Sequence, residues 1–350
     1  MASNGGRMAR NLVVSAAMIG FALVACVSDA SAQQQERAGR PGEIVVTLLG
    51  TGGPEPGTAR FGPATLIQAG GLNLLFDAGR GVTVRLYQLG IPAGKGIDAV
   101  FLTHYHSDHV EGLPDLWMTG YMFGPFGFRS RPLRLFGPSD GTGSGGAARI
   151  AKGLTEAFAD DARIRMADEK IPAVATQIDA HDFQADRVVF EEAGVKVTAF
   201  AVNHGDLIKP SVGYRVDYGA KSVTLSGDTK FDENLIKFAT GTDLLIHEVF
   251  ATSAKLAELP YMKPVADHHT SPEQAGEVFS RVKPKLAAYT HVILLGVSQD
   301  VLVSRTKGTY AAPFQVGDDL MRFEIGDSVA SRDGIRSFAD IPIRCAGTNP

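Results

Sequence analysis

The sequence predicts an α/β protein in which β-sheets are layered with helices. From Glu43 onward, short apolar runs alternate with glycine-rich turns, which is typical of strands joined by tight connections. The predicted strands come first in runs and later alternate with helical segments, as in layered α/β architectures. No long proline- or serine-rich linker divides the chain after its N-terminal segment, so residues 43–345 are predicted to form a single domain.

The strands and helices are predicted from hydrophobic spacing and from the turn residues that bound each segment. The predicted strands are Ile44–Leu49, Ala64–Ala69, Leu72–Phe76, Ala99–Thr103, Leu133–Phe136, Val195–Val202, Val212–Asp217, Ser222–Leu225, Leu244–Glu248 and Leu286–Thr290. The predicted helices are Val82–Leu89, Leu113–Thr119, Ala147–Phe158, Glu233–Phe238, Ser253–Leu259 and Glu273–Val282. Ser271 is the predicted N-cap of the last helix, because Pro272 follows at the first helical position and Gln274 completes a capping box.

The composition is that of an ordinary globular protein with a small negative charge. The 350 residues carry 34 Lys and Arg against 38 Asp and Glu, which gives a formal net charge of −4. A mildly acidic chain is a poor candidate for general RNA or DNA binding, which depends on basic patches that face phosphates. The chain has two cysteines, Cys26 and Cys345, so we expect no metal site built on a cysteine pair.

The N-terminal segment is predicted to be a secretory signal peptide over residues 1–32. Two arginines precede an apolar run from Leu12 to Val27, and Ala30-Ser31-Ala32 supplies a cleavage site of small residues. The mature protein is therefore expected in the periplasm or outside the cell. Leu23-Val24-Ala25-Cys26 also resembles a bacterial lipobox, so a lipoprotein held on a membrane surface through Cys26 is one alternative. A permanent anchor helix is another.

The segment "THYHSDH", residues 103–109, concentrates side chains that bind metals. The strand before it is predicted to end at Thr103, so the motif lies on a loop at the carboxyl end of a strand, where open α/β sheets place their sites. Imidazole nitrogens and a carboxylate suit zinc and other divalent first-row metals. Four such ligands on one tight turn cannot converge on a single ion without strain, so the motif predicts two ions that share the loop.

This H-x-H-x-D-H motif resembles that of the metallo-β-lactamase superfamily. Three further segments match that family in order, each at the end of a predicted strand: "FAVNHGD" with His204, "TLSGDTK" with Asp228 and "AAYTHV" with His291. The resemblance covers residues 43–295, which would be the core of the domain. It implies an αββα sandwich of two mixed sheets flanked by helices, with the metals at the edge between the sheets.

The resemblance also implies which side chains hold the ions. The first ion would take His104, His106 and His204, the second would take Asp108, His109 and His291, and Asp228 would bridge both. Two Zn²⁺ ions per chain are expected, with Mn or Fe as alternatives. Asp77 in "LLFDAG" matches an early aspartate of the family, which is expected behind the ligands, where it fixes the tautomer of a histidine.

Two further histidines resemble those of the tRNase Z branch of the family. His247 in "LLIHEVF" and His269 in "DHHTSPEQAG" look like the H-E-A-T and H-S-x-x-x-Q-A phrases of that branch, and His269 precedes His291 by 22 residues. The resemblance implies that His269, aided by His247, protonates the leaving group, while Asp108 orients the nucleophile or accepts its proton. A structural role in the core remains open for His247, and His268 and His181 are interpreted as surface residues.

Two departures argue against the tRNA maturation of that branch. Only 24 residues separate His204 from Asp228, too few for the long RNA-gripping arm that tRNA enzymes usually insert there. A signal peptide would also separate the protein from tRNA. On these grounds the chain looks more like exported arylsulfatase-like hydrolases.

The segment Gly120–Gly146 is the least regular part of the chain. It contains Tyr121, Phe123, Phe126 and Phe128 among glycines, which is compatible with a flexible aromatic lid over an apolar leaving group. Three arginines follow that could bind a sulfate or phosphate: Arg129, Arg131 and Arg134. A packed flap with solvated arginines is the alternative.

The combined prediction is an exported dinuclear metal-dependent hydrolase that cleaves the ester of a small molecule by metal-bound hydroxide. The ester would be a sulfate, a phosphodiester or a carboxylic ester, and no nucleic-acid partner is expected. A lactone or β-lactam hydrolase and an iron-dependent oxidoreductase on the same fold are the alternatives, and a non-catalytic metal-binding protein is a third. Attachment to a membrane surface depends on lipidation of Cys26, and a homodimer is left open.

Overall fold

Two mixed β-sheets face each other in the computed structural model, and helices cover their outer faces. The structure describes residues 42–142 and 146–333. The strands are β1 (Ile44–Gly50), β2 (Ala64–Ala69), β3 (Leu72–Phe76), β4 (Ala99–Phe101), β5 (Leu133–Pro138), β6 (Ile178–Phe183), β7 (Arg187–Glu192), β8 (Val195–Ala201), β9 (Val212–Tyr218), β10 (Lys221–Leu225), β11 (Leu244–Thr252), β12 (Leu286–Leu295), β13 (Phe314–Val316), β14 (Arg322–Ile325) and β15 (Val329–Arg332).

The α-helices of the described residues lie between these strands. They are α1 (Val82–Gln88), α2 (Ser107–Val110), α3 (Leu113–Tyr121), α4 (Ala147–Ala157), α5 (Ala159–Asp168), α6 (Glu233–Ala239), α7 (Ala254–Ala257), α8 (Met262–Asp267), α9 (Pro272–Val282) and α10 (Gln299–Lys307). The predicted capping box of α9 is present, since Ser271 Oγ accepts from Gln274 N and Gln274 Oε1 accepts from Ser271 N. Among these helices, none is both long and apolar enough to cross a membrane.

The strand order confirms the αββα sandwich. One sheet has the order β15-β14-β1-β2-β3-β4-β5-β6, and the other has the order β13-β12-β11-β10-β9-β8-β7. Each sheet is mixed: β3, β4, β5 and β6 pair in parallel, as do β10, β11, β12 and β13, while the remaining neighbours are antiparallel. Helical connections between parallel strands place the helices on the outer faces.

The inner faces of the two sheets bury one hydrophobic core. Phe76, Phe101 and Phe136 stack across three neighbouring strands with ring centroids 4.9 Å apart, and Tyr214 of the facing sheet packs edge-on against Phe76 at 5.1 Å. Each fully buried aromatic side chain stabilises the fold by about 1.5–3 kcal/mol through removal of apolar surface from water. The Tyr214 hydroxyl donates a hydrogen bond to the Leu102 carbonyl, which joins the sheets next to the loop that follows β4.

The prediction misses elements at the edges of the sheets and shortens two central strands. The missed segments are β6, β7, β13, β14, β15, α2, α5, α8 and α10. β6 and β7 carry mostly polar, half-buried or exposed residues, so their hydrophobic pattern is weak. β11 and β12 continue past Glu248 and Thr290, the last residues of the two predicted strands. The prediction placed the end of the second strand beside a presumed ligand, although the chain remains extended beyond it.

The predicted signal peptide of residues 1–32, with Cys26, lies outside the described residues, as does Cys345. The described residues from Gly42 to Asp333 belong to one compact unit. The exact bounds of the domain, 43–345, stay a prediction.

Candidate metal centre

Side chains from several strand ends and connecting loops meet at one edge of the sandwich. Two groups of ligand atoms, each within 4.8 Å of one another, contain all seven residues expected from the sequence. These groups are His104, His106, His204 and Asp228, and Asp108, His109 and His291. All of them except the half-buried His106 are buried. The grouping matches the division into two ion sites that the resemblance implies.

Asp228 lies at the centre of the cluster. Its Oδ2 atom is 3.3 Å from Nε2 of both His109 and His291, and 3.7 Å from His204 Nε2. Burial alone would raise the pKa of this carboxyl, but the surrounding imidazoles, above all His291 and His109, hold it well below its ordinary value. Asp228 therefore remains a carboxylate, the form that can bridge two cations.

A glycine lets the chain deliver Asp228 into this position. Gly227 has φ +61°, and a Cβ atom built on it would lie 2.4 Å from the Val212 carbonyl oxygen. Any other residue would need both a left-handed backbone conformation and space that the neighbouring strand already occupies. The turn after β10 is tight for this reason, and it directs the carboxylate towards the imidazoles.

Hydrogen bonds behind the cluster fix the orientation of three histidines. Asp77 Oδ2 accepts from His109 Nδ1 at 2.8 Å, which is the role expected for this aspartate, and Thr103 Oγ1 lies 3.0 Å from His104 Nδ1. Asp77 also accepts from the Thr103 hydroxyl, and His204 Nδ1 donates to the His268 carbonyl at 2.8 Å. In His104 and His204 the outward nitrogen carries the proton, so Nε2 presents a lone pair to the cluster, and in His109 Nε2 does so once its second proton is displaced.

The histidines differ in how readily they bind protons. Burial lowers the pKa of His204 to about 4 and that of His104 well below its ordinary value. Burial would also lower the pKa of His109, but the Asp228 and Asp77 carboxylates raise it well above its ordinary value. His104 and His204 are therefore neutral ligands, whereas an ion at His109 must compete with a proton.

The donor atoms of the cluster suit divalent cations. His104 Nε2 and His109 Nε2 are buried and make no hydrogen bond with any described residue, although both point towards Asp228. Buried polar atoms without partners are rare in folded proteins unless an ion or water satisfies them. Imidazole and carboxylate donors in this arrangement fit zinc, manganese or iron.

A β-bulge places His291 in the cluster. On β11, His247 pairs with Tyr289 and Val249 pairs with Val292, so Glu248 alone opposes two residues of β12. His291 adopts φ +45° within the bulge, and its Nε2 atom reaches to 3.1 Å from Asp108 Oδ2. The extra residue turns the imidazole out of the regular strand alternation, which is a common use of bulges next to functional sites.

His269 lies at the edge of the cluster and is paired with Glu248. Its Nδ1 atom is 3.0 Å from Glu248 Oε1, which also accepts from the backbone N–H groups of Thr229 and Thr270. Burial would lower the pKa of His269, but the Glu248 carboxylate outweighs it and raises the pKa to about 9. Although His269 also falls within ligand distance of Asp228 and His291, its bound proton opposes metal binding and suits proton donation.

His247 does not join the site. Its side chain is fully buried, its ring packs against Phe279 of α9, and its Nδ1 atom is hydrogen-bonded to the Glu248 carbonyl. The predicted catalytic aid from His247 is therefore corrected to a structural role in the core. Because side chains alternate across a strand, the residue that faces the site is the next one along β11, Glu248.

The arginines after the aromatic segment are already engaged by the protein. Arg129 is 2% exposed, and its guanidinium donates to the carbonyls of Trp117 and Ala93. Arg131 pairs with Asp98, and Arg134 pairs with Glu192. The proposed anion-binding role of these arginines is not supported by these contacts.

The aromatic residues of the segment pack against one another or against neighbouring side chains, although Phe123 and Phe128 are 47% and 48% exposed. Tyr121 is buried and donates to Asp161, Phe126 packs on Tyr87, and Phe123 packs against Phe128. None of these aromatic rings lines the cavity beside the metal cluster. Residues 143–145 of the predicted segment lie outside the described part of the chain. The contacts of the described residues in this segment fit a flap packed on the protein better than a lid over the site.

The buried guanidinium of Arg129 leads to a stability prediction. We expect Arg129→Met to lower the free energy of unfolding by about 1–3 kcal/mol, because it leaves buried carbonyls without a donor. Arg131→Met is the matched control, and the loss of its exposed ion pair should cost less than about 1 kcal/mol. Urea unfolding of both variants measures the difference. Equal, small losses would show that the Arg129 contacts contribute little.

The His269–Glu248 pair leads to a prediction about pH. A pKa of about 9 keeps His269 protonated at neutral pH, so activity that depends on this proton should fall as the pH rises through about 9. Glu248→Gln removes the charge that raises the pKa, so the alkaline limb of kcat/KM should move to lower pH by a unit or more. The pH–rate profiles of both proteins test this, and coincident alkaline limbs would contradict it.

Sequence reasoning missed several residues that support the site. Glu248 was read only as part of a motif around His247, and Thr103 only as the end of a strand. His268 is half-buried beside His204 and lines the cavity at the cluster, rather than lying on the surface. Strand alternation would have indicated Glu248, but the positions of Thr103 and His268 depend on contacts between distant segments.

Comparisons with known proteins place this fold and cluster in a family. A family model described as the beta-lactamase superfamily domain matches residues 72–292. Ribonuclease Z of Mycobacterium sp. (strain KMS) is 33% identical over 290 residues, which are 82% of this chain and 98% of the relative. Ribonuclease Z of Mycobacterium marinum (strain ATCC BAA-535 / M) is 31% identical over 286 residues, which are 81% of this chain and 99% of the relative.

Two solved structures share the fold at lower identity. The metallo-beta-lactamase fold protein YhfI from Bacillus subtilis has a TM-score of 0.64 and 20% identity, with 81% of this chain and all of that chain covered. The short form of human tRNase Z has a TM-score of 0.56 and 22% identity, with 79% of this chain and 98% of that chain covered. At these identities the structures support the fold alone.

These relatives overturn two predictions about the substrate. Their names are those of RNA-cleaving enzymes, so the predicted small-molecule ester and the predicted absence of a nucleic-acid partner are wrong. Those predictions depended on the short connection between His204 and Asp228 and on the acidic charge. A short connection removes one means of gripping RNA, but it leaves a cluster suited to phosphodiesters. The arylsulfatase-like assignment, export, lactone hydrolysis and iron-dependent oxidation receive no support from these relatives.

Proposed function

We infer that this chain, which belongs to the metallo-β-lactamase superfamily, is a metal-dependent phosphodiesterase that hydrolyses RNA. The hydrolase family and the ribonuclease Z relatives support the class of reaction. The observation that carries the proposal is the clustering of seven ligand side chains, Asp228 among them, with the His269–Glu248 pair beside them. In such a site, one cavity contains both a binding position for a phosphoryl group and a proton donor.

The cluster would hold two divalent ions, and we propose zinc, with manganese or iron as alternatives. His104, His106 and His204 would hold one ion, Asp108, His109 and His291 would hold the other, and the Asp228 carboxylate would bridge them. When bound, such ions supply Lewis acidity towards a phosphoryl group and make a nucleophile available from water near neutral pH.

The residues of the chain orient the reaction. Asp77 and the His268 carbonyl hold two ligand imidazoles in fixed tautomers, so the cluster is arranged before substrate binds. Glu248 accepts a hydrogen bond from His269 Nδ1, so Nε2 is the nitrogen available to donate a proton in the cavity that this ring lines. The protonated imidazole donates its proton to the ribose oxygen that departs when the P–O bond breaks. Asp108 lines the same cavity and is placed to orient the nucleophile.

Cleavage of a defined RNA tests the proposal. The purified protein, loaded with Zn²⁺ or Mn²⁺, should cleave a tRNA-containing transcript with a 3′ extension, and a chelator should stop the reaction until the ion is restored. His106→Ala is the variant that should lose cleavage. No cleavage with any of these ions, or cleavage that survives both chelation and His106→Ala, would overturn the assignment.

Export is kept as a separate proposal that depends on residues 1–32. The charged start, the apolar run and the A-x-A site support it. Cell fractionation of the full chain and of a chain without residues 1–32 tests it. Recovery of both in the cytoplasm, with no processing of the full chain, would contradict it.

A further inference from the structure

An open cavity of about 350 Å³ adjoins the metal cluster, and its two halves differ in chemistry. One half is the cluster itself, with His106, Asp108, Asp228, His269 and His291 in the wall. The other half is apolar. It is lined by Phe250, Met262, Val265, Ile293 and Leu295. The volume falls within the range of pockets that bind small organic groups, about 300–1,000 Å³.

The apolar half of the cavity is formed by regular elements of the fold. Phe250, Met262 and Ile293 are buried and form a separate hydrophobic cluster, against which Val265 and Leu295 pack. They come from α8, from the part of β11 beyond Glu248 and from the part of β12 beyond His291. The extensions of these two strands thus provide a floor beside the site.

Phe250 connects this floor to the proposed proton donor. Its ring is nearly parallel to that of His269, with an interplanar angle of 12° and centroids 5.8 Å apart. The ring also adds aromatic, apolar surface to the floor of the cavity.

The charges around the cavity indicate what kind of group it accepts. No lysine or arginine occurs among the described residues that line it, and Glu55 is the one carboxylate there outside the metal cluster. A phosphate is therefore not stabilised in the apolar half and belongs at the cluster. A flat, uncharged group with apolar faces fits the apolar half better.

We propose that the apolar half of this cavity binds the unpaired nucleobase of the nucleoside whose oxygen leaves. This inference rests on the proposed RNA hydrolysis and names the substrate feature that the same site reads. In a phosphodiester the base is joined to the phosphorus through one ribose, so a base pocket must lie next to the phosphoryl site. His269 borders both halves, which places the pocket on the side of the leaving oxygen.

The short connection between His204 and Asp228 supports recognition of RNA by residues next to the cleaved bond. It consists of a short loop, β9 and β10, so no extended arm reaches out from the described residues of this segment. Recognition of RNA then depends more on groups next to the cleaved bond. Aromatic and apolar surfaces bind single-stranded bases without strong sequence preference, so the favoured substrate is RNA with an unpaired end.

Two short single-stranded RNA oligonucleotides test the base pocket. They are identical except that the leaving nucleoside, identified from the products, is either intact or abasic. With metal-loaded wild-type protein, kcat/KM should be about five- to a hundredfold higher for the intact oligonucleotide. Val265→Asp, which introduces a charge at a half-buried position of the wall, should bring this ratio close to one. Val301→Asp, at an exposed position on α10, is the matched control and should keep the wild-type ratio.

The outcomes separate the base pocket from the proposed function. Cleavage of both oligonucleotides at equal kcat/KM by the wild type would overturn the base pocket and leave RNA hydrolysis standing. A wild-type ratio that Val265→Asp does not reduce would also overturn it. Cleavage of the tRNA-containing transcript but of neither oligonucleotide would overturn the base pocket alone, and cleavage of none of the three RNAs, at any loading of Zn²⁺ or Mn²⁺, would overturn the proposed function together with the pocket.

Discussion

Replacement of Asp228 by alanine is expected to lower kcat/KM for RNA by at least about 1,000-fold, equivalent to about 4 kcal/mol of transition-state stabilisation. Asp228 is the one carboxylate that lies close to four histidines of the cluster, so its loss affects both proposed ion sites. Without this carboxylate, two cations held by the remaining ligands would repel each other with no bridging anion between them. The metal content of the purified variant should fall together with its activity.

The control for this variant is an exposed carboxylate. Asp160 on α5 has an 89% exposed side chain and contacts Arg163, so Asp160→Ala should retain wild-type activity and metal content. Steady-state kinetics and elemental analysis of both variants provide the comparison. If Asp228→Ala kept more than about a tenth of the wild-type activity, Asp228 would not bridge the reacting centre.

The second large effect is expected from His269→Ala, and it should depend on the leaving group. For RNA, where a ribose alkoxide departs, kcat/KM should fall by about 100–10,000-fold because the proton donor is lost. For bis(p-nitrophenyl) phosphate, whose nitrophenolate leaves without protonation, the loss should stay below about tenfold. Kinetics with the two substrates measure this difference directly.

Two further variants sharpen the result. Glu248→Gln should produce a smaller, leaving-group-dependent loss, because the amide keeps an oxygen that accepts from His269 Nδ1 but lacks the charge. His181→Ala, at a half-buried position on β6 outside the metal cluster, should have no effect on either substrate. Equal losses on RNA and on the activated diester in His269→Ala would reject proton donation and favour a structural or ligand role for His269.

The sequence predicted the parts of the site that follow from strand ends. His104 and His106 lie on the loop after β4, and Asp108 and His109 lie on α2, which follows directly, so their proximity is local and follows from the spacing. Asp228 follows a short apolar strand, and parallel strands bring their carboxyl ends to one edge of a sheet. The structure brings all seven predicted ligands together there, and it shows the two-sheet sandwich that the resemblance implied.

The remaining features of the site depend on tertiary contacts that the spacing of residues along the sequence does not indicate. The bulge that turns His291 arises because β12 continues beyond a residue at which the strand was predicted to end. The role of Arg129 depends on carbonyls of Trp117 and Ala93 that only the tertiary fold brings near. His247 faces the core and Glu248 faces the site because adjacent strand residues face opposite sides.

The substrate was the least predictable feature. A cluster of histidines and aspartates suits many phosphoryl and acyl esters, so its residues alone do not distinguish a small ester from RNA. The length of one connection, between His204 and Asp228, was given too much weight as a sign against RNA. Similarity over 98% of a ribonuclease Z relative reverses that inference.

The central claim is that two ions at this cluster enable hydrolysis of RNA. The most direct test is the rate of cleavage of one RNA, measured while Zn²⁺ is titrated into metal-depleted protein. The account predicts almost no cleavage without metal and a rate that rises until about two ions are bound per chain. Full activity without metal, or no cleavage at any ratio of Zn²⁺ to protein, would contradict it.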